Sequence, residues 1–193
     1  MNKIIEQQFT NIYNNNKNAD EETVSGIGSK IENAIDLINT LPDILKKYEI
    51  SSIFDIGCGD FNWMKNIDIS GINYTGGEIV LDVFKSNKKY ESDTINFIHF
   101  DITSDSIPRS DLIICRGVLS FYNTKTILNI INKIINSKSL YILLTNFPKS
   151  TDTKIDFLQP PYSFPDPIIS IKDGVNKEIG LWKISDLLIQ IDQ

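Results

Sequence analysis

The chain has 193 residues, of which 41% are hydrophobic and 23% are charged, and its formal net charge is −6. This size and composition predict one globular domain, and the acidic balance without a basic run argues against non-specific nucleic-acid binding. No apolar run is long enough to span a bilayer, the first residues lack the apolar core of a signal peptide, and two cysteines cannot build a disulfide framework. We therefore expect a cytoplasmic protein with no membrane partner. A nucleic-acid partner is not favoured, although RNA stays open as a substrate.

The N-terminal segment predicts two helices. The first is polar and covers about residues 4–18, and the second covers 29–48, where apolar residues recur at helical spacing. Ser29 can cap the second helix, and Glu32 three residues later completes a capping box. Pro42 lies inside this helix, so a kink or a division into two shorter helices is expected.

Strand-like and helix-like runs alternate after residue 50, and this pattern predicts parallel βαβ units with right-handed crossovers. The strands are expected near 51–56, 73–78, 95–100, 111–115 and 139–146, and the helices near 60–66, 79–90 and 124–137. Between Asp101 and Asp111 the chain is too short and too polar for a full helix, so the third crossover should be a loop. Two final strands, near 163–171 and 178–183, are expected to form a hairpin at the sheet edge. The pattern predicts an α/β fold with a doubly wound, mostly parallel, seven-stranded Rossmann-like sheet and helices on both faces.

The most informative motif follows the first predicted strand. The run Ile53-Phe54-Asp55-Ile56 is followed by Gly57-Cys58-Gly59, so two glycines stand one residue apart. Glycine has no Cβ, so the backbone can turn tightly there and approach a ligand closely. Doubly wound sheets hold nucleoside-containing cofactors above such a strand and turn. The motif therefore predicts a cofactor at this edge of the sheet.

Two classes of cofactor compete for this position. The dinucleotide fingerprint needs a third glycine for close packing of the helix whose N-terminus holds the pyrophosphate, and Asn62 stands at that position. The second and third strands end in Glu78 and Asp101, so these acids and Asp55 would rim one edge of the sheet. Such a ring suits a cationic cofactor that has no phosphates. S-adenosylmethionine is therefore favoured, and an NAD-dependent oxidoreductase is the less favoured alternative.

The first strand is followed by the seven-residue run Cys58-Gly59-Asp60-Phe61-Asn62-Trp63-Met64. With this run, the chain resembles the class I S-adenosylmethionine-dependent methyltransferases over about 25–187, and more narrowly a bacterial subgroup marked by the same signature. The other matching segments are 24–29, 101–103, 111–116 and 180–182. The resemblance implies a single methyltransferase-like domain over 1–193, with an N-terminal helical segment and cap at 1–48, a cofactor-binding core at 49–150, and C-terminal strands with an acceptor-pocket wall at 151–193.

The resemblance also implies cofactor contacts around the glycine turn. Gly57 and Gly59 would bring their backbone close to the methionine end of S-adenosylmethionine. Asp55 would orient the loop through backbone N–H groups or bind the amino group of the cofactor through water. Glu78 would accept hydrogen bonds from the ribose hydroxyls, and Ile79 would pack on the adenine.

Further cofactor contacts are expected from the neighbouring strand ends. Asp101 would accept a hydrogen bond from the adenine amine, with a turn-capping role as the alternative, and Ile102 would offer its backbone N–H to the ring. Because the first and fourth strands are neighbours, Cys58 and Cys115 should lie near each other beside the cofactor, as packing residues rather than reactive thiols. Phe61 completes the set of expected cofactor contacts.

On the acceptor side, Arg116 and Tyr122 are the candidate catalytic residues, and Arg116 is also a candidate cofactor contact. Arg116 can hold an anionic acceptor such as a phosphate or carboxylate bidentately, or it can pair with Asp60 or Asp101. Two further candidate acceptor contacts are Lys149 and Tyr162.

The chain departs from the subgroup directly after Arg116. The positions at which the relatives carry an acid and a histidine are Gly117 and Phe121 here, so the usual candidates for deprotonating a substrate are absent. His99, the only histidine, is expected to be structural. One histidine and two cysteines cannot build a structural zinc site, so no metal is expected.

These features predict methyl transfer from S-adenosylmethionine to a small-molecule or sugar-linked acceptor. An oxygen nucleophile is favoured, and an oxyanion suffers least from the missing base because it has no proton to lose. The signature suggests a role in surface-polysaccharide modification. The alternative, motivated by Gly117 and Phe121, is a cofactor-binding partner subunit with little or no catalysis.

Overall fold

The computed structural model describes residues 3–17, 21–148, 155–174 and 176–191. The helices are α1 (Lys3–Lys17), α2 (Ile31–Lys47), α3 (Leu81–Asn87), α4 (Thr124–Asn136) and α5 (Ile184–Ile191). The strands are β1 (Ser52–Ile56), β2 (Asn73–Glu78), β3 (Ile95–His99), β4 (Leu112–Cys115), β5 (Tyr141–Asn146), β6 (Ile169–Lys172) and β7 (Glu178–Lys183). None of the helices in these ranges is both long and apolar enough to cross a membrane.

The seven strands of the described ranges form one sheet, in the order β3-β2-β1-β4-β5-β7-β6. The first five strands pair in parallel, and β7 pairs antiparallel with both β5 and β6. These pairings confirm the predicted seven-stranded, mostly parallel sheet and its terminal hairpin. The strand order reverses at β1 and β4, which is where doubly wound sheets open a crevice beyond the strand ends.

Buried side chains form two hydrophobic clusters because successive residues of a strand point to opposite faces of the sheet. On one face, β1 contributes Ile53 to a cluster with α2, and on the other it contributes Phe54 and Ile56 to a cluster with α4 and α5. Cys58 belongs to the first cluster and Cys115 to the second. The two thiols therefore pack in separate cores, and not side by side beside a cofactor as expected.

The start of α2 differs from the predicted one. Ser29 lies in a 3-10 turn before the helix, and the residue at the N-cap position makes no side-chain cap. Glu22 caps the helix from upstream, because its Oε1 accepts a hydrogen bond from the Ile31 N–H at 2.8 Å. The predicted capping box of Ser29 and Glu32 is therefore wrong, because the carboxylate of Glu22, which precedes the helix in the chain, accepts this hydrogen bond instead. The helix then continues through Pro42 without dividing.

The segment after β1 also differs, because residues 57–72 contain no α-helix where one was predicted over 60–66. Phe61 has a φ of 61°, a conformation that interrupts a helix. Beyond it the chain makes only a 3-10 turn at Met64–Asn66. The Asn66 side chain donates to the Asn62 carbonyl at 2.8 Å, so an amide side chain satisfies a carbonyl that a helix would have paired with a backbone N–H.

The hairpin at the sheet edge is shorter than predicted in its first strand. β6 begins at Ile169 rather than near 163. Pro165 and Pro167 precede it, and neither has the N–H that a strand interior needs. Phe164 is buried in the core instead, so this part of the chain packs as a loop.

Candidate cofactor cavity

A cavity of about 390 Å³ opens at the carboxyl ends of the central strands. Loops that follow β1 to β5 line it, together with α1 and the segment 24–29. Its volume lies within the range of small-molecule sites, and its place at the reversal of strand order is where doubly wound sheets bind ligands.

Gly57 and Gly59 both line the cavity, with φ values of 68° and 58°. Residues with a side chain rarely adopt this conformation. A Cβ on Gly57 would lie 2.5 Å from Val118 Cγ2, and a Cβ on Gly59 would overlap Ser25 Oγ and lie 2.9 Å from Ser25 Cβ. The turn therefore requires glycine for its backbone conformation and for the close approach of two neighbouring segments.

Asp60 ties this turn to the segment 23–25. Its Oδ1 accepts hydrogen bonds from Ser25 Oγ at 3.0 Å and from Thr23 Oγ1 at 3.1 Å, and its Oδ2 accepts one from the Val24 N–H at 2.9 Å. In return, the Asp60 N–H donates to Ser25 Oγ at 2.9 Å. Asp60 is thus a structural residue that fixes one wall of the cavity.

Glu78 is the only acidic side chain among the described residues that line the cavity, and it is 6% exposed. Its Oε2 accepts a hydrogen bond from the Gly59 N–H at 3.0 Å, and its Oε1 accepts one from the Val80 N–H at 2.8 Å. The backbone N–H of Ile79 also hydrogen-bonds to this carboxylate. A carboxylate has about four acceptor sites, so about one remains for a ligand. Burial raises the pKa of Glu78 above its usual value, and the backbone hydrogen bonds oppose that shift.

The other two acids of the predicted ring do not line the cavity. Asp55 is buried, and its Oδ2 accepts a hydrogen bond from the Tyr74 hydroxyl at 2.8 Å. Asp101 is buried as well, and its Oδ1 accepts from the Thr103 N–H at 2.9 Å and from the Thr103 hydroxyl at 2.7 Å. This is the turn-capping alternative. The acidic ring expected from the sequence therefore reduces to Glu78, because the other carboxylates turn into the protein.

Asp55 should give the protein a pH-dependent stability. Burial raises its pKa to about 7, against the lowering effect of the Tyr74 hydrogen bond. The folded state thus holds the proton more tightly than the unfolded state, so this stabilisation is full below about pH 4 and is lost as the pH rises through about 7. We expect the ionisation of Asp55 to lower the unfolding free energy by up to about 1.4 kcal/mol per pH unit in that window. Asp55→Asn should flatten the dependence of the unfolding free energy on pH. Urea unfolding across the window measures both proteins, and equal pH slopes would contradict the prediction.

The remaining predicted cofactor contacts divide into two groups. Ile79 and Ile102 line the cavity and are buried, so they offer it an apolar surface. Cys58, Phe61 and Cys115 do not line it. Phe61 packs within an aromatic cluster of the core, and burial raises the pKa of both thiols. These three residues fill the core beneath the site.

Arg116 lines the cavity after β4 and has a partner that the sequence did not indicate. Its Nε and Nη2 donate to Asp173 Oδ1 at 3.0 and 2.6 Å, and its Nη2 also donates to the Gly28 carbonyl at 2.6 Å. Lys177 Nζ lies 2.9 Å from Asp173 Oδ2. The side chains of Arg116 and Lys177 are 6% and 18% exposed, and Asp173 is fully buried. The acid that pairs with Arg116 is therefore neither of the two that the sequence allowed, and no local signal marks a pair 57 residues apart.

The other acceptor-side candidates have mixed positions. Tyr122 lines the cavity, and burial raises the pKa of its hydroxyl, so at neutral pH it donates hydrogen bonds rather than acting as a base. Gly117 and Phe121 also line the cavity; a Cβ on Gly117 would meet nothing within 4 Å, and Phe121 is 55% exposed. Tyr162 is buried outside the cavity wall. Lys149 lies outside the described residues.

The first helix forms a wall of the cavity that sequence reasoning did not assign to the site. Phe9, Ile12 and Tyr13 line the cavity from α1, and the Phe9 ring packs against Phe121 with ring centroids 5.1 Å apart. The available signal was the apolar side of an otherwise polar helix, because such a side needs a partner to pack against.

His99 lies behind this wall rather than in the cavity. Its Nε2–H donates to the Ile79 carbonyl at 2.8 Å, and its ring stacks on Phe84 with centroids 5.7 Å apart. The histidine thus holds the backbone of a cavity residue in place. Within the described ranges, no group of three or more His, Cys, Asp or Glu side chains is arranged to hold a metal ion.

Comparisons with known proteins agree on the fold. No protein-family model and no curated protein matches the chain. Among solved structures, the methyltransferase domain of bacterial CtHen1-C matches with a TM-score of 0.61 and 10% identity, over 80% of this chain and 98% of that one. The N-methyltransferase NodS from Bradyrhizobium japonicum WM9 matches with 0.60 and 9%, over 79% and 96%. Magnesium protoporphyrin IX methyltransferase from Synechocystis PCC 6803, with bound SAH, matches with 0.60 and 12%, over 76% and 81%. At these identities the likeness establishes the fold: the chain has the Rossmann-like fold of methyltransferases.

Proposed function

We propose that the protein binds S-adenosylmethionine in this cavity and transfers a methyl group from it to a small-molecule acceptor. The observation that carries the proposal is the position of Glu78, which is bonded to the glycine turn and keeps acceptor capacity toward the cavity. The cavity lies at the reversal of strand order in a fold shared with methyltransferases, one of which contains bound SAH.

The groups on the cavity wall fit this cofactor. The remaining acceptor capacity of the Glu78 carboxylate suits a ribose hydroxyl. Ile79, Phe100 and Ile102 offer an apolar surface to adenine. A dinucleotide fits less well, because the glycine turn does not lead into an α-helix whose N-terminus would hold a pyrophosphate.

When bound, S-adenosylmethionine supplies a methyl group on a sulfonium sulfur, which is an activated leaving group. The chain then has to orient the acceptor and exclude water, and positioning of this kind is worth about 7–11 kcal/mol in favourable cases. The buried Arg116–Asp173 pair gives the acceptor side a rigid wall, and Tyr122 offers it a hydrogen-bond donor. We extend the proposal to a small or sugar-linked acceptor that is methylated on oxygen. The resemblance to the Cys-Gly-Asp-Phe-Asn-Trp-Met subgroup supports a role in surface-polysaccharide modification in the cytoplasm.

Calorimetric titration with S-adenosylmethionine, S-adenosylhomocysteine and NAD tests the cofactor assignment. We expect both sulfur-containing nucleosides to bind at least about tenfold more tightly than NAD. Glu78 suits a ribose hydroxyl, and the glycine turn does not lead into an α-helix whose N-terminus would hold a phosphate. A folded protein that ignores both nucleosides at millimolar concentration would refute the proposal.

Gly117 and Phe121 keep a second function open, in which the protein binds the cofactor as a partner subunit without catalysing transfer. The release of S-adenosylhomocysteine during incubation with hydroxyl, carboxylate, phosphate and amine acceptors separates the two functions. Tight binding without turnover on any of these acceptors would favour the partner role.

A further inference from the structure

Two cations on the acceptor side of the cavity share one carboxylate. Arg116 and Lys177 both line the cavity, and both pair with the fully buried Asp173. One carboxylate neutralises only one of them, so the cluster keeps a surplus positive charge. Gly28 also lines the cavity, and a Cβ there would lie 3.4 Å from Lys177 Nζ, which places the ammonium group at the wall.

This positive charge lies at a different part of the cavity wall from Glu78. Glu78 ends β2 and Arg116 follows β4, with β1 between them in the sheet. Neighbouring strands lie about 4.8 Å apart, so roughly 10 Å of sheet edge separates the two strand ends. Lys177 comes from beyond β5, directly before β7. A cofactor with its ribose at Glu78 and its chain along the glycine turn leaves the β4–β5 side of the cavity to the acceptor.

Among the residues that the structure describes on that side of the cavity, none is suited to take a proton from an acceptor. Among the described residues on the cavity wall there is no histidine, and the carboxylate of Glu78 is held by backbone N–H groups at the other side. Burial raises the pKa of the Tyr122 hydroxyl, so it stays protonated. This wall favours an acceptor whose nucleophile has no proton to lose, because a missing general base typically costs about 10²–10⁴-fold in rate.

We propose that the acceptor is an oxyanion, a carboxylate or phosphate group on an apolar body, and that Lys177 with the Arg116–Asp173 pair holds its charge. The inference rests on the proposed function, because it assigns the second ligand of the same cavity. In the transfer, a lone pair of the acceptor oxygen forms the new bond to the methyl carbon, and the electrons of the breaking C–S bond remain on sulfur. The sulfonium and the oxyanion each lose one unit of charge, and no proton is released.

The apolar part of the proposed acceptor is inferred from the residues at the mouth of the cavity. Phe121, Ile12 and Ile27 line the cavity and are each more than a third exposed, so they stand where it meets solvent. Exposed apolar side chains grouped at the mouth of a cavity suit an apolar ligand. An acceptor with its charged group at Lys177 and an aromatic or aliphatic group at the mouth would be complementary to both regions of the cavity wall.

Calorimetry on the protein saturated with S-adenosylhomocysteine tests this inference with two probe pairs. Benzoate is compared with benzyl alcohol, and phenyl phosphate with phenol, so each pair shares a ring and differs in charge. We expect at least one anion to bind about tenfold or more tightly than its neutral partner, because its charge meets an ammonium group at a partly buried wall. The two pairs distinguish a carboxylate acceptor from a phosphate acceptor. Equal affinity within both pairs, or no binding of either anion, would overturn the inference.

Three variants locate the source of the preference. Lys177→Met removes the charge and should reduce the preference to about twofold or less, with the affinity for S-adenosylhomocysteine unchanged within about twofold. Lys177→Arg keeps the charge and should keep the preference. Lys172→Met, at an exposed lysine that ends β6, is the matched control and should behave as the wild type.

Two results would count against the assignment of Lys177. If Lys177→Met keeps the preference for the anion, the lysine does not hold the acceptor. If Lys177→Met instead lowers the affinity for S-adenosylhomocysteine tenfold, the lysine binds the carboxylate of the cofactor, and the acceptor assignment falls. Failure of the wild-type protein to bind S-adenosylhomocysteine would refute the proposed function, and this inference with it.

Discussion

Replacement of Gly59 by alanine is expected to destabilise the protein and to remove most of its affinity for S-adenosylhomocysteine. Gly59 has a φ of 58°, where a residue with a Cβ costs about 1–2 kcal/mol. The new methyl group would also overlap Ser25, and overpacking of this kind typically costs about 1–3 kcal/mol. We therefore expect Gly59→Ala to lose about 2–5 kcal/mol of unfolding free energy, measured by urea denaturation. Its cofactor affinity should fall because the displaced turn lines the cavity.

Gly71→Ala is the matched control for this substitution. Gly71 has a φ of 78°, but a Cβ there would meet nothing within 4 Å, so this variant isolates the conformational cost of about 1–2 kcal/mol. Ser25→Gly in the Gly59→Ala protein removes the overlapping side chain, and the double-mutant cycle should show a favourable coupling. Equal losses of stability in Gly59→Ala and Gly71→Ala would mean that the contact with Ser25 does not require the glycine.

Glu78→Ala is expected to weaken binding of S-adenosylhomocysteine by about 1–3 kcal/mol, the cost of leaving a buried polar partner unsatisfied. This range corresponds to roughly 5- to 150-fold in the dissociation constant. The substitution removes the proposed acceptor for the ribose hydroxyls, and it also leaves the N–H groups of Gly59 and Val80 without their carboxylate. Calorimetric titration measures the affinity, and thermal unfolding separates loss of binding from loss of the fold.

Asp82→Ala provides the control for charge. Asp82 lies in the first turn of α3, close in sequence to Glu78, but it is exposed and does not line the cavity. Its removal changes the net charge by the same amount, so the affinity should match that of the wild type. If Glu78→Ala also retains wild-type affinity, the ribose assignment is removed.

The scaffold and the turn were predictable because their signals are local. Alternating strand and helix patterns indicate a parallel sheet, and a pair of glycines directly after a strand indicates a turn that approaches a ligand. The same reasoning places Glu78 at a strand end, and the structure brings it to Gly59 through one hydrogen bond. The helix expected after that turn is absent, because the positive φ of Phe61 interrupts it. A phenylalanine does not indicate a positive φ in the sequence, so this feature could not be predicted.

Asp55 and Asp101 show that a position at the end of a strand does not by itself predict a contact with the cavity. Asp55 is the last residue but one of β1, and it shares the sheet face of Ile53, where the Tyr74 hydroxyl of the next strand meets it. Asp101 follows its strand, but a hydroxyl two positions on captures its carboxylate. A position at the edge of a sheet therefore does not settle whether a side chain faces the crevice or the core.

By itself, the sequence determined the five parallel strands, the turn of Gly57 and Gly59, and the place of Glu78 at a strand end, since each depends on neighbours within a few positions. Only the tertiary structure decided that Arg116 shares Asp173 with Lys177, and that Phe9 closes the cavity against Phe121. These contacts join segments that lie far apart along the chain. Local periodicity in the sequence does not indicate which distant segments come into contact. The surplus positive charge of the Arg116, Asp173 and Lys177 cluster is therefore a property of the folded chain.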